Sequence, residues 1–435
     1  GATAEQELAF ALATAIAVLD SIKASGQVPE EDFAKVVGRI SFFVNAGIRF
    51  VTEICKMRAF CELWDEITRD RYGITEDKYR RFRYGVQVNS LGLTEQQPEN
   101  NVYRILIEML AVVLSKNARA RAVQLAAWNE ALGLPRPWDQ QWSLRLQQIM
   151  AFETDLLEYD DLFDGNPAIE RKVGLLKDGA RAELAKIDAM GGAIAAVDLG
   201  YMKQELVRSN ARRLADIETG LTKVIGVNAF TETEQSPLTS GDKSILTVDD
   251  MAEQDQIEKL KAWRSDRDQG VVAVALDELE SAAREERNIM ESSIACAHAG
   301  VTTGEWSETL RQVFGEYRAP TGITSIIVTG EDDDIKALRG RVDEVSKKLG
   351  ERMKMLVGKP GLDGHSNGAE QIAVKAGDAG IDVLYDGIRW TPDELVRNAI
   401  DEGAHVIGLS ILSGSHVPLV REVVNGLRAQ GAGHI

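Results

Sequence analysis

Lys359, Asp363, His365 and Gly368 fall within one short stretch, "GKPGLDGHSNGAEQI" (residues 358–372). An aspartate two residues before a histidine can accept a hydrogen bond from one ring nitrogen. That fixes the tautomer and leaves the other nitrogen free to bind a metal. Gly361, Gly364 and Gly368 remove side chains, so a bulky group can approach the backbone. About forty residues on, "SILSGSH" (residues 410–416) presents the Ser410 hydroxyl, Leu412 and further small residues. The set suits a large planar cofactor with one axial histidine. The alternative is a loop histidine with a packing role only.

These residues need elements to hold them. "RMKMLVGK" (352–359) reads as a strand, "NGAEQIAVKAGDAG" as a helix with a glycine stop, and "DVLYDG" as a strand. "TPDELVRNAIDEG" reads as a helix with Thr391 as N-cap and Pro392 at its first position, and "AHVIGLS" (404–410) as a strand. Such alternation predicts a doubly wound α/β domain, which binds ligands at the carboxyl ends of its strands. His365 follows the first strand and Ser410 ends the third.

The first part of the chain alternates in the same way. Strands are expected over "RISFFVNAG" (39–47), "RYGVQVNS" (83–90) and "RARAVQLA" (119–126). Helices are expected over residues 2–25, 48–70 and "QQPENNVYRILIEMLAVVLS", the last with Pro98 in its first turn. Three such units suit part of a (β/α)8 barrel better than a whole one. From about 140 to 315 the chain is helical and strongly charged, as solvated helix faces would be. Residues 318–334 read as a linker. The division expected is 1–160 for a partial TIM barrel, 161–320 for a mainly helical continuation and 350–435 for a truncated doubly wound, flavodoxin-like domain.

At 435 residues the chain has material for two or three domains. A formal charge of −18 argues against non-specific nucleic-acid or anionic-membrane partners, which need a basic footprint. Three cysteines, Cys55, Cys61 and Cys296, form neither a disulfide framework nor a zinc motif, which fits a reducing cytoplasm. The longest apolar run, residues 8–19, is too short and too rich in Ala and Thr to read as a membrane span. The chain starts without Met inside helix-forming sequence and stops where another strand is expected, so it reads as a fragment open at both ends.

The pattern Asp363-x-His365-x-x-Gly368, followed by Ser410-x-Leu412, resembles the base-off/His-on cobalamin-binding domain. The resemblance implies that His365 is the axial ligand of cobalt. Asp363 and Lys359 would complete a Lys–Asp–His group, and Gly364, Ser366, Asn367, Gly368, Ser410 and Leu412 would line the cofactor's lower side. The later Gly-Gly motif of that domain is absent from this chain.

Upstream, "GATAEQELAF", "RISFFVNAG", "LGLTEQQPENNVYR", "NEALGLP" and "VIGVN" resemble the catalytic barrel of adenosylcobalamin-dependent acyl-CoA mutases. The resemblance implies a radical isomerase. Co–C homolysis gives a 5′-deoxyadenosyl radical, which takes a substrate hydrogen; the carbonyl-CoA group migrates and the hydrogen returns. It also implies coenzyme A contacts at Arg39 and Ser41, with Lys78 on the same side, and a site-facing role for Gln87. Ser90 and Gly133 would face the corrin, and Glu130 would bind the ribose hydroxyls of the adenosyl group. The bland readings are a surface arginine for Arg39 and a capping or surface carboxylate for Glu130.

"VQVNS" and "RAVQLAA", with Gln124 where methylmalonyl-CoA mutases carry a histidine, look like the ethylmalonyl-CoA mutase branch. That branch interconverts ethylmalonyl-CoA and methylsuccinyl-CoA; methylmalonyl-CoA mutase is the alternative. The family's general acid and carboxylate clamp would precede Gly1, so no catalytic acid is named. A homodimer and a G-protein chaperone are implied by the resemblance alone. The competing classes are a corrinoid carrier and a non-catalytic cobalamin-binding subunit.

Overall fold

A computed structural model describes residues 2–234, 236, 238, 245–246, 249, 251–317, 333–361, 367–412 and 416–435. By contacts it divides into two compact units, Gly1–Leu246 with Pro320–Ile435, and Thr247–Ala319.

The larger unit opens with α1 (Ala4–Ser25), whose end is capped by reciprocal hydrogen bonds between Thr3 and Gln6. By length and composition α1 could cross a membrane, contrary to the expectation from its sequence. Its Leu8, Leu12 and Leu19, however, are packed into a protein core. Then follow α2 (Glu30–Val37), β1 (Phe42–Ala46), α3 (Phe50–Asp70), α4 (Asp77–Arg80), β2 (Tyr84–Val88), α5 (Asn100–Val113), β3 (Ala122–Gln124) and α6 (Pro137–Glu153). Next come α7 (Pro167–Ala189), α8 (Ala193–Asp198) and α9 (Tyr201–Glu218). The strands form one parallel sheet in the order β1-β2-β3, with Val44, Val86 and Val123 in register.

Strand alternation gives this sheet two different faces. Phe42, Val44, Tyr84 and Val86 turn to α3 and join Phe60, Trp64 and Phe82 in the main core. The rings of Phe42 and Phe82 stack at 4.3 Å and those of Phe60 and Phe82 at 4.9 Å. Truncating a ring such as Phe60 to alanine would cost about 3–5 kcal/mol. α7 packs against α1 and α3, so the first core continues past residue 160.

Pro98 is not in the first turn of α5. Glu99 is the N-cap, and Asn101 and Val102 donate to the Pro98 and Glu99 carbonyls in the turn that leads in. The amide lost at Pro98 is therefore spent in that turn and not in the helix.

The smaller unit holds α10 (Met251–Asp266), α11 (Gln269–Arg284), α12 (Met290–Ala299) and α13 (Thr303–Phe314). Leu279, Ala275 and Cys296 form its core. Arg267 donates to Glu305 at 2.7 Å and to the Gly300 carbonyl at 2.8 Å. That arginine holds the Glu305 carboxyl down at about 2.

The larger unit resumes with α14 (Asp333–Leu349), a helix not anticipated from the sequence; most of the expected linker lies outside the described residues. β4 (Lys354–Pro360), α15 (Asn367–Asp378), β5 (Asp382–Trp390), α16 (Pro392–Asp401), β6 (Val406–Leu409) and α17 (His416–Ala429) complete it. The second sheet is also parallel, in the order β5-β4-β6, with β4 at its centre. Thr391 caps α16 through a reciprocal pair with Glu394, with Pro392 in the first turn. The three cysteines are free.

Candidate active site and cofactor loop

In β1–β3 the face away from α3 carries Phe43 and Asn45 from β1, Gly85 and Gln87 from β2, and Ala122 and Gln124 from β3. The register sets them in two rows, Phe43–Gly85–Ala122 and then Asn45–Gln87–Gln124, nearer the carboxyl ends. Among the described residues, no hydrogen bond is recorded from any of these three side-chain amides.

Arg39 and Ser41 are exposed and precede β1, so they stand at its amino end. Lys78, on α4 before β2, belongs to the same end; its ammonium pairs with Glu76 at 2.6 Å and lies 4.5 Å over the Tyr79 ring. Arg83 donates to the Lys78 carbonyl. Gln87 is separated from this basic group by the length of the sheet.

Ser90 opens a 3-10 turn after β2, braced by Asn89, whose side chain accepts from the Leu91 amide at 2.8 Å. Glu130 is half-buried in the loop after β3. Gly133 in that loop has φ +149°, and a Cβ there would lie 3.0 Å from Ile245. Only glycine fits that backbone and that approach.

One buried asparagine ties the two loops together. Asn101 Nδ2 donates to the carbonyls of Thr94 and Trp128, both at 2.9 Å, and its Oδ1 accepts from the Thr94 amide at 3.0 Å. Arg104 donates to Thr94, to Asn101 and to the Ile225 carbonyl. From the other side, buried Asp139 accepts from the Trp128 indole and from Asn129 and pairs with Arg136. Burial alone would raise the Asp139 pKa; the bonds from Arg136, Asn129 and Trp128 hold it low.

Sequence reasoning missed a buried charge cluster behind the carboxyl ends of β1 and β2. Lys56 pairs with Glu7 and Glu53, each at 2.6 Å, and donates to the Asn45 carbonyl at 2.9 Å. Glu7 accepts the Asn45 amide at 2.7 Å. Burial opposes the Lys56 charge, but the two carboxylates outweigh it and raise its pKa. Glu108 on α5 is 1% exposed, and its Oε2 finds no hydrogen-bond partner. Burial, with Glu53 nearby, pushes its carboxyl up to about 8. Glu53 and Lys56 occupy positions in the apolar stripe of α3, and Glu108 in that of α5; charge on such a stripe was the available signal.

At the second sheet, Lys359, one residue before the end of β4, has 0% exposure and donates to the Ser410 carbonyl at 2.7 Å. The ends of β4 and β6 are thereby fastened together. A Cβ on Gly368, at the start of α15, would lie 3.6 Å from the Ser410 hydroxyl. Leu412 is 57% exposed just beyond. Among the described residues, a glycine beside a hydroxyl and an exposed leucine would leave room for a broad, flat group. Asp363, Gly364, His365 and Ser366 lie outside the described residues, as does the side chain of Asn367. Glu370, buried in the first turn of α15, pairs with Lys203 of α9, and Lys375 pairs with Glu218 at 2.8 Å.

Comparison with known proteins adds to this geometry. Residues 1–316 match the family model described as methylmalonyl-CoA mutase, and residues 353–435 match the B12 binding domain. The ethylmalonyl-CoA mutase of Cereibacter sphaeroides is 67% identical over 99% of this chain and 65% of its own length. That of Methylorubrum extorquens is 63% identical over 100% of this chain and 63% of its own length. The methylmalonyl-CoA mutase of Cereibacter sphaeroides is 32% identical over 100% of this chain and 60% of its own length. The chain spans just under two thirds of the length of the curated relatives it matches.

Proposed function

The chain belongs to the methylmalonyl-CoA mutase family, and on that premise we propose that it is part of an adenosylcobalamin-dependent carbon-skeleton mutase converting ethylmalonyl-CoA to methylsuccinyl-CoA. The observation that carries the branch is the identity to ethylmalonyl-CoA mutase, about twice that to a methylmalonyl-CoA mutase from the same bacterium.

In this reading, β1–β3 are the C-terminal part of a (β/α)8 barrel (1–160), 161–320 its mainly helical continuation and 350–435 a doubly wound cobalamin domain. His365 would hold the cobalt, with Asp363 as its hydrogen-bond partner, and Lys359 anchors the end of β4 to Ser410. Gly364, Ser366, Asn367, Gly368, Ser410 and Leu412 would contact the cofactor. When bound, adenosylcobalamin supplies the radical that takes a hydrogen from the substrate and returns it. Arg39, Ser41 and Lys78 hold the coenzyme A end, where cations and a hydroxyl suit phosphate and polar acyl-pantetheine oxygens. Gln87 would face the acyl end, Glu130 would take the ribose hydroxyls, and Ser90 and Gly133 would contact the corrin. Loops braced by Asn101 and Asp139 hold these groups in place and keep water from the reacting atoms.

A homodimer and an encounter with a G-protein chaperone are proposed on the same resemblance, and cytoplasmic residence on the sparse, unpaired cysteines. The test is turnover of the complete protein, loaded with adenosylcobalamin, on ethylmalonyl-CoA and on methylmalonyl-CoA. A strong preference for ethylmalonyl-CoA is expected. Preference for methylmalonyl-CoA would keep the isomerase and discard the branch. Turnover of neither would remove the activity.

A further inference from the structure

We propose that Lys203 is a positioning residue: through its pairing with Glu370 it seats the cofactor helix α15 on α9, the helix that also holds the turn after β2. The inference rests on the proposed function and deepens it, because it names what keeps the two sides of the cofactor site in step.

Of its own residues, α9 buries only Val207 and Asn210, so apolar burial contributes little to its place in the fold. Polar bonds fix it instead. At its start the Tyr201 hydroxyl donates to Glu183 of α7 at 2.6 Å. Arg213 donates to the Leu91 carbonyl at 3.2 Å, inside the turn that Ser90 opens. Burial pushes the Arg213 guanidinium below its usual range, a cost that a solvated arginine would not carry. Just past the end of α9, the Ile225 carbonyl accepts from Arg104 of α5 at 2.8 Å. These bonds tie α9 to the helices and the turn around the first sheet.

The same helix reaches α15, in the same compact unit, through two ion pairs: Lys203 with Glu370 and Glu218 with Lys375. Their signs define the seat. Lys203 and Glu370 lie in the first turns of their helices, Glu218 and Lys375 in the last turns. Like ends are joined. Reversing one helix would set Lys203 against Lys375 and Glu218 against Glu370, like charge against like. A helix favours acids at its start and bases at its end. Glu370 and Lys375 follow that preference within α15, whereas Lys203 and Glu218 both oppose it within α9. The charges that α9 carries against its own dipole find their compensation on α15.

Exposure ranks the two pairs. The side chains of Lys375 and Glu218 are 42% and 56% exposed, so water screens that pair and it contributes little. The Glu370 side chain is 7% exposed, and a carboxylate so far out of water needs its cation. Glu370 stands two residues after Gly368 and five after His365. Beside it, Ala369 and Ala373 pack with Val357 of β4 and Tyr385 of β5, so α15 moves with those strands. Whatever holds Glu370 therefore holds the cofactor helix, together with the strand end that Lys359 fastens to Ser410. Through Arg213 the same α9 holds the turn of Ser90. A shift of α15 on α9 would carry the axial side of the cofactor out of step with its adenosyl side.

The experiment compares the complete protein with three variants: Lys203→Met, Lys203→Met combined with Glu370→Gln, and Lys203→Arg. Four readouts are taken: melting temperature, adenosylcobalamin affinity by titration, the axial nitrogen splitting of bound cob(II)alamin, and turnover of ethylmalonyl-CoA. Lys203→Met strands the Glu370 charge, so its melting temperature should fall. The double variant removes both charges and should recover the melting temperature. It should still bind adenosylcobalamin about tenfold more weakly and show a kcat about tenfold lower, short of the roughly hundredfold that a 1 Å misplacement costs. Its KM and its nitrogen splitting should be unchanged. Lys203→Arg, which keeps the charge and the reach, should keep the parent's values. Recovery of affinity and kcat along with the melting temperature in the double variant would show that the pair serves folding only, and would overturn the assignment. So would a double variant that still melts low, loss of the nitrogen splitting, or a KM that rises as kcat falls. A parent protein that binds no adenosylcobalamin would remove the proposed function and this role with it. A parent that binds and turns over, beside a double variant that does so equally well, would remove this role alone.

Discussion

Replacing Glu108 by glutamine should make the protein more stable, and increasingly so as pH rises. Glu108 is 1% exposed with one carboxylate oxygen lacking a partner, and its carboxyl is pushed from the ordinary 4.5 up to about 8. Between those values the folded chain keeps a proton that the unfolded chain releases. Stability therefore falls as pH climbs through this window, by about 1.4 kcal/mol per pH unit. The loss is about 1 kcal/mol at pH 5.5, about 3 kcal/mol at pH 7 and about 4 kcal/mol at pH 8, and it levels off within about a unit above that. Glutamine has no proton to lose, so Glu108→Gln should match the parent near pH 4.5 and exceed it by these amounts higher up. Calorimetric melting of both proteins at pH 5.5, 7 and 8 reads the gap. A gap that stays constant with pH, or a variant less stable than the parent at pH 8, would refute the buried neutral carboxyl.

Lys56→Met should act in the opposite direction. It leaves Glu7 and Glu53 facing each other without their shared cation, at a cost of about 3–5 kcal/mol seen as a lower melting temperature. Asn101→Ala removes the bonds to Thr94 and Trp128, so adenosylcobalamin affinity should fall while free coenzyme A binding, read at the other end of the sheet, holds. Asp363→Ala should weaken cobalamin binding about 10–100-fold, the usual effect of losing a ligand's hydrogen-bond partner. His365→Ala should abolish the axial nitrogen splitting in the electron paramagnetic resonance spectrum of bound cob(II)alamin; splitting that persists would exclude His365 as the ligand.

The strands were legible because each carries a period of two. "FFVNA" and "YGVQV" alternate core and open face residue by residue, and in a sheet a residue's face follows from its position. The caps of α1 and α16 are local chemistry; Thr391 and Pro392 were readable at α16, and Glu394 completes the pair in the structure. α14 was not anticipated, although Leu338, Val342, Val345 and Leu349 recur every three or four residues. Dense charge between them and the linker-like composition before them obscured the period. The candidate residues of the first sheet were legible as single positions. That Arg39 and Ser41 share an end with Lys78, and Gln87 a row with Asn45, requires the register, which no local pattern contains. Lys56 looked like any charged helix residue because its partner Glu7 is 49 positions away.

The buried charges also bear on why such a site is rigid. A hydrophobic side chain in place of Lys56, with its carboxylates removed, would often be as stable or more so. The Glu7–Lys56–Glu53 group is therefore poor evidence for stability and better evidence for geometry. Its hydrogen bonds end on the amide and carbonyl of one strand residue, Asn45, and on no other strand residue among the described contacts. A strand held only by apolar packing can shift by fractions of an ångström as side chains repack. Two directional bonds, one to the amide and one to the carbonyl of the same residue, resist that shift. An enzyme that must keep reactive atoms in register gains from such a fixed point, and the Lys56 variant measures its cost.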